Sequence, residues 1–442
     1  MISKTDLEKV LLEWKEFKLP EIRERELKLD LNPEQIISLT GIRRGGKTFI
    51  LLDTAKKLLR RYKRGEVLYV NFEHELLVNI EAKDVRKMFE IHGELFEERI
   101  RYLLFDEIQK VRNWEVLLRR LYDERRYRIF ISGSSSEVRP KELSSSLRGR
   151  TLNFMVFPLN FREFLKFKNH EFGKKDDLVE EKKGKMLKLL REYLEFGGFP
   201  DVVLKEDRIE KIKLISSYFD TILLRDIIEK HEIRHVRLLE MFLKYIISTS
   251  SCYFSPTKAQ NYFKSIGEKC TKPTLLDFLE YAEKAFLVFK TEIFSPKIKD
   301  RKQYPVKIYT IDNSFINFVN PKFSENIGVL MENCVGIEFL RRKEKDPRIE
   351  IYYWKNRQGR EIDFVVKKGF EIHELVQVSY ALNENDVRGR EIKSLIKASK
   401  ELGCKNLLVI TWDYEGEEKA KGKEIKFIPL WKWLLKGIEQ YF

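Results

Sequence analysis

Cysteine is scarce in this 442-residue chain: there are four, Cys252, Cys270, Cys334 and Cys404. None pair at CxxC spacing, which excludes a zinc ribbon and a dense disulfide framework and predicts a reduced, cytoplasmic protein. Long apolar runs are missing too. No stretch of about 18 uncharged apolar residues occurs, so neither a transmembrane helix nor a membrane partner is expected. Met1 to Leu19 is charged every few residues and lacks an apolar core, so it does not read as a signal peptide. There is no internal repeat and no low-complexity linker. Glutamine is also scarce.

Charge is abundant. Asp, Glu, Lys and Arg make up 35% of the chain, with 85 Lys+Arg against 70 Asp+Glu and a formal net charge of +15. Two compatible readings follow. One is a heat-adapted, hyperthermophile-like surface rich in Lys and Glu. The other is a polyanion partner such as nucleic acid. The apolar content of 43% and aromatic content of 12% supply packed cores and exclude a mainly disordered chain. The length exceeds what one hydrophobic core serves, so about two to four domains are expected.

Short apolar segments punctuate the first third of the chain. Gln35–Thr40, Val67–Phe72, Arg101–Asp106 and Tyr127–Ser132 read as buried strands with helical stretches between them, the pattern of a parallel, helix-covered sheet. Directly after the first strand comes Gly41-Ile42-Arg43-Arg44-Gly45-Gly46-Lys47-Thr48, which matches G-x-x-x-x-G-K-[ST]. Gly41, Arg44, Gly45 and Gly46 would wrap phosphates with backbone N–H groups at a helix N-terminus. Lys47 would reach the β- and γ-phosphates, and the Thr48 hydroxyl would bind Mg²⁺. Leu103-Leu104-Phe105-Asp106-Glu107 is an apolar strand ending in two carboxylates: Asp106 for the Mg²⁺ shell and Glu107 to polarise an attacking water. That pair points to hydrolysis of ATP. Ser132, with Ser134 as second choice, would sense the γ-phosphate. Arg150, or its neighbour Arg148, would serve as a trans-acting finger.

The motifs together resemble a known family. They are Gly41–Thr48, Asn71-Phe72-Glu73, Leu104–Gln109 with Asn113-Trp114-Glu115, Ser132–Ser136, Leu147–Arg150, Phe157-Pro158-Leu159 with Phe161–Phe164, and Gly197-Gly198-Phe199-Pro200. The chain is similar to archaeal and bacterial AAA+ ATPases of the STAND-like branch that carry a C-terminal domain of unknown function. The resemblance implies an α/β fold: a P-loop AAA+ αβα core with a helical lid, a winged-helix module and a restriction-endonuclease-like terminal domain. It also implies a ring homo-oligomer, commonly a hexamer. The lid would carry a second sensor, for which Arg225 is the candidate, and Glu73 would act as a polar switch on the catalytic carboxylate. The expected boundaries are a helical lead-in over 1–33, the core over 34–155, the lid over 156–230, the winged-helix-like module over 231–302 and the nuclease-like domain over 303–442.

Residues 231–294 read as helix, helix, Pro-led helix and strand. The last helix would follow Lys272-Pro273-Thr274, with Leu275, Phe278, Leu279 and Ala282 as its core face. Lys269, Thr271, Lys272 and Thr274 would stand at a DNA groove, and Lys297, Lys299, Arg301 and Lys302 would lie in the wing, suited to phosphate contact. In the terminal domain, Glu332 on a helix, Asp363 in a strand and Gln377 in Gln377-Val378-Ser379 follow the spacing of a metal-dependent nuclease. Its usual lysine is missing there, and Lys393 could supply the cation. Three functions therefore stand: an Mg²⁺-dependent ATPase that binds or remodels DNA, with branched or single-stranded DNA as candidates; an ATP-switched regulator; and an ATP-dependent nuclease.

Overall fold

A computed structural model describes residues 2–134, 147, 149–171, 173, 179–297, 301, 303–321, 323–383 and 389–436. The chain divides into two compact units, Met1–Phe157 and Pro158–Phe442.

The first unit is built on five parallel strands in the order β2–β3–β4–β1–β5. They are β1 (Ile36–Thr40), β2 (Val67–Asn71), β3 (Tyr102–Asp106), β4 (Arg128–Gly133) and β5 (Thr151–Met155). Strands β1 to β4 are near-continuous apolar runs because helices cover both faces of such a sheet. Sequence patterning does not identify β5. It lies on the sheet edge, Leu152 is exposed, and it has no continuous apolar run.

Helix α1 (Lys4–Glu16) begins at Ser3, whose side chain accepts from the Asp6 amide. It buries Leu7, Val10, Leu11 and Trp14 at helical spacing. The Trp14 indole donates to the Val67 carbonyl at 2.7 Å. The N-terminal segment is therefore part of this unit's core. Helices α2 (Lys47–Leu58), α3 (Ala82–Leu95) and α4 (Trp114–Asp123) link the strands. Inserting β4 between β1 and β3 sets three strand ends side by side, those leading to the glycine loop, to Ser132–Ser134 and to Asp106–Glu107.

The second unit starts with helices α5 (Phe161–Phe167), α6 (Glu180–Phe196), α7 (Pro200–Leu204) and α8 (Arg208–Thr221). Gly197-Gly198 breaks the α6–α7 run for a steric reason. Gly197 has φ +72°, and a Cβ there would fall 1.6 Å from Asp312 Oδ1. A Cβ on Gly198 would fall 2.2 Å from the Leu159 carbonyl oxygen, and its amide donates to Asp312 at 2.8 Å.

Next come α9 (Val236–Ser248), β6 (Tyr253–Phe254), α10 (Pro256–Ser265), α11 (Lys272–Lys284), β7 (Val288–Thr291) and β8 (Val306–Thr310). The three strands form an antiparallel sheet in the order β6–β8–β7. Strand β8 lies beyond the expected boundary at 302/303, yet it pairs with β6 and β7 and not with the six-stranded sheet. Its alternating Val-Lys-Ile-Tyr-Thr reads as a strand, but sequence does not say which sheet it joins.

Helices α12 (Asn313–Val319) and α13 (Phe323–Lys345) lead to a six-stranded sheet, β13–β14–β12–β11–β10–β9. Its strands are β9 (Ile349–Lys355), β10 (Glu361–Lys368), β11 (Glu371–Val378), β12 (Leu407–Thr411), β13 (Gly416–Ala420) and β14 (Lys423–Pro429). Helix α14 (Gly389–Leu402) packs Leu395, Ile396 and Ala398 onto one face. On the other, Phe339 of α13 packs against Phe364 and against Trp433 of the last helix, α15 (Leu430–Leu435). The β13–β14 hairpin escaped sequence reading because its outward positions are charged, as in Glu417, Lys419 and Lys426. Among the described residues no helix is long and apolar enough to cross a membrane.

Gly198→Ala is expected to destabilise the protein by about 1–3 kcal/mol through backbone overlap. Gly184→Ala on α6, where a Cβ meets nothing within 4 Å, is expected to be neutral or stabilising by up to about 1 kcal/mol. Paired thermal melts check both.

Candidate nucleotide site

The glycine loop runs from β1 into α2. Gly41 (φ +140°) and Gly46 (φ +97°) take backbone conformations that side-chain-bearing residues avoid. A Cβ on Gly41 would also fall 2.2 Å from the Val156 carbonyl oxygen. Gly46 is the N-cap of α2, and Gly45 donates its amide to Ile42 at 3.2 Å. The loop thus leaves α2's first amides pointing where an anion would sit. Arg44 is exposed, with φ 66°. Lys47 is only 4% exposed, and its Nζ donates to the Gly41 and Ile42 carbonyls at 3.0 Å each. The lysine lies across the loop it is expected to serve.

Asp106, fully buried at the end of β3, collects hydroxyl donors. Ser132 Oγ donates to Oδ1, the Tyr69 hydroxyl donates to Oδ2 at 3.1 Å, and Thr48 also bonds the carboxylate. Burial pushes its carboxyl above the usual range, against the lowering effect of the Ser132 and Thr48 hydrogen bonds. Thr48 and Asp106 form a hard, all-oxygen pair of the kind Mg²⁺ takes together with waters and phosphate oxygens.

Glu107 has φ 53° and is 8% exposed. Its amide donates to Ser132 Oγ at 3.1 Å, and its carboxylate accepts from Ser134 Oγ at 2.9 Å and Gln109 Nε2 at 2.5 Å. Burial opposes its ionisation. The charges of Lys47 and Arg43, with the Gln109 and Ser134 hydrogen bonds, outweigh that and hold the carboxyl below its usual range. It is therefore an ionised acceptor, the state required to orient a water.

The two serines divide the work. Ser132 faces Asp106, and Ser134 faces Glu107. Arg43 bridges Glu73 at 3.1 Å and Ser134 at 3.3 Å, so Glu73 pairs with a loop arginine rather than with Glu107. Four participants escaped sequence reading. Arg43 occupies a variable motif position, Gln109 lies two residues past Glu107, and Tyr69 lies mid-strand. The fourth, Arg25, reaches in from the N-terminal segment and donates to the Gly45 carbonyl at 3.0 Å and the Phe157 carbonyl at 2.9 Å.

Arg150 lies elsewhere. It precedes β5 at the end where Ile36 pairs with Thr151, whereas the glycine loop follows the opposite end of β1. Its guanidinium stands over Tyr122, 5.7 Å from the ring centroid, with Asp123 at 3.7 Å. Within one chain it does not approach the loop. Arg148, Ser135, Ser136, Lys299 and Lys302 lie outside the described residues.

In the second unit, Arg225 is exposed on a π-helical turn, Ile222–Ile228. Lys269 and Lys272 are exposed at the start of α11, and Thr271 caps that helix. Arg301 departs from the expected wing role. It donates inward to the Ser295 carbonyl at 2.8 Å and the Tyr352 hydroxyl at 3.0 Å.

Glu332 and Asp363 do come together, at Lys307 Nζ, 3.0 Å from each. Glu361 joins them at 2.8 Å. The cation of this cluster is therefore Lys307 and not Lys393, which is exposed on α14. The only sequence signal was a lone charged residue in the strand Val-Lys-Ile-Tyr-Thr. Gln377 makes no hydrogen bond to the cluster, and its Oε1 is buried without a partner.

Fold and site define a P-loop ATPase, and residues 33–165 match the AAA domain. Residues 187–326 and 327–433 match two domains of unknown function, DUF8612 and DUF4143. The chain belongs to the family of the uncharacterized protein MJ1544 of Methanocaldococcus jannaschii, with 37% identity over 98% of this chain and 96% of that protein. An uncharacterized protein of Haemophilus influenzae is 27% identical over 89% of this chain and 93% of that one. Among solved structures, the Walker-type ATPase PABY2304 of Pyrococcus abyssi aligns with 14% identity and a TM-score of 0.41, covering 72% of this chain and 96% of that chain. The ORC2 protein of Aeropyrum pernix, solved as ADPNP–ADP complexes, aligns with 11% identity and a TM-score of 0.36, covering 67% and 90%. Likeness at these scores carries no functional conclusion.

Lys47→Ala is expected to weaken ATP binding by about tenfold to a hundredfold, the equivalent of one or two charge-assisted hydrogen bonds. Titration calorimetry with a non-hydrolysable ATP analogue reads the loss.

Proposed function

We propose that the protein is an Mg²⁺-dependent ATPase that hydrolyses ATP to bind or remodel DNA, working as a ring homo-oligomer. The observation that carries the hydrolytic half is the meeting of Lys47, Thr48, Asp106 and Glu107 at the ends of β1 and β3 on either side of β4. In this reading the α2 amides and Lys47 hold the phosphates, and Lys47 leaves the Gly41 and Ile42 carbonyls to do so. Thr48 and Asp106 hold Mg²⁺, which when bound neutralises charge on the β- and γ-phosphates. Glu107 orients water for in-line attack, with Ser134 and Gln109 fixing its carboxylate. Ser132 keeps Asp106 in register with the γ-phosphate. Arg150, far from its own loop, is assigned to a neighbouring subunit's nucleotide.

The DNA half rests on the second unit. The order helix, short strand, two helices and two strands over 236–310, with the sheet β6–β8–β7, supports a winged-helix reading. Exposed Lys269 and Lys272 stand at the start of α11, where such a helix meets a groove. The +15 charge surplus suits a polyanion. Lysines without base-reading partners favour phosphate contact over sequence readout.

Glu107→Gln is expected to retain ATP affinity while turnover falls about 10²–10⁴-fold; unchanged turnover removes Glu107 from the water-orienting role. Forked or single-stranded DNA is expected to stimulate turnover, and an ATP-switched regulator without remodelling activity would show no stimulation. Replacing both Lys269 and Lys272 with Ala is expected to weaken DNA binding for all sequences alike and to reduce the salt slope of log K by about 1 per lost phosphate contact. Fluorescence anisotropy across a salt series measures that slope.

A further inference from the structure

The carboxylate cluster of the second unit lies outside the nucleotide site. Lys307, on β8 of the three-stranded sheet, sends its side chain into the terminal domain. Its side chain is 2% exposed, and its ammonium meets Glu361 at 2.8 Å and Glu332 and Asp363 at 3.0 Å. An ammonium has three protons, and three carboxylates accept here. The acids are held from behind as well. The Tyr309 hydroxyl donates to Glu332 at 3.0 Å, and the Val378 amide donates to Asp363 at 3.0 Å. Burial opposes the charge on Lys307, but Glu332 and Asp363 outweigh it and keep the amine protonated.

Glu332 on a helix and Asp363 on a strand have the spacing of a metal-dependent nuclease centre. The residues present do not fit a divalent ion, because a fixed cation already takes up the oxygens such an ion would need. We infer that Lys307 stands in for a metal: its ammonium ties β8 to α13 and β10, and the cluster is a metal-independent latch between the three-stranded sheet and the terminal domain, not a cleavage centre. The inference stands or falls separately from the DNA-stimulated ATPase reading. Among the described residues Lys307 is the buried cation these three acids from α13 and β10 share, which accounts for a lysine at a buried position of this strand.

The test is Mn²⁺ binding by the full-length, nucleotide-free protein, followed by electron paramagnetic resonance and thermal melting. Wild type is expected to take up no Mn²⁺ at this cluster and to melt at the same temperature in Mn²⁺ and in EDTA. Lys307→Ala removes the cation and opens space beside three carboxylates, so it is expected to bind one Mn²⁺ that wild type does not. It should regain melting temperature on Mn²⁺ addition and lose the gain when Asp363→Asn is added. A folded Lys307→Ala protein that binds no Mn²⁺ overturns the inference. The wild-type arm does not depend on that variant folding. Stoichiometric Mn²⁺ uptake by wild type that Asp363→Asn abolishes, or metal-dependent cutting of forked DNA lost in the same variant, also overturns it.

Discussion

Two adjacent carboxylates must be buried at the end of one apolar strand and still behave differently; the rest of the nucleotide site follows from that requirement. Asp106 and Glu107 share a peptide bond, so distance cannot separate their roles. Backbone conformation and hydrogen-bonding partners do. Asp106 continues β3 and is surrounded by hydroxyls from Thr48, Ser132 and Tyr69. Glu107 turns out of the strand at φ 53° and faces Lys47, Arg43, Ser134 and Gln109. One carboxylate is thus set among neutral hydroxyl donors, and the other among cations that keep it ionised. The insertion of β4 between β1 and β3 makes this possible, because it brings two serine hydroxyls between the loop and the acids.

Much of this was legible in the chain. The loop motif, the apolar strand ending in Asp106-Glu107 and the small polar turn after β4 each carry a local signature, since each depends on residues close in sequence. Tyr69, Arg25 and Lys307 do not. Their roles come from sheet order and from segments brought together over long separations. Strand β5 and the β13–β14 hairpin were missed for a related reason: β5 and β13 are edge strands, and polar residues in β5 and charged residues in the hairpin break up the apolar pattern. Strand β8 lies beyond the expected 302/303 boundary yet pairs with β6 and β7, since alternation fixes a strand's faces and not its partners.

The second unit shows the same economy of charge. Asp312 is buried and receives the Gly198 and Ser314 amides at 2.8 and 3.0 Å, which ties the double-glycine break of the helical region to the helix preceding α13. Lys307 does the corresponding work for the three-stranded sheet. In both places a group that would be costly to bury alone meets at least one partner from a distant part of the chain. Such contacts fix one arrangement of elements among several that apolar packing would tolerate.

The N-terminal segment changes how the ATPase module should be delimited. The AAA match begins at residue 33, yet Trp14 donates to the Val67 carbonyl of β2, and Arg25 clasps the carbonyls of Gly45 and Phe157. A fragment cut at the homology boundary would strip an indole from the core and leave the glycine loop without its outer brace. The contacts that hold β2 and the glycine loop therefore start upstream of the recognisable domain. The first helix belongs to the engine, not to its casing.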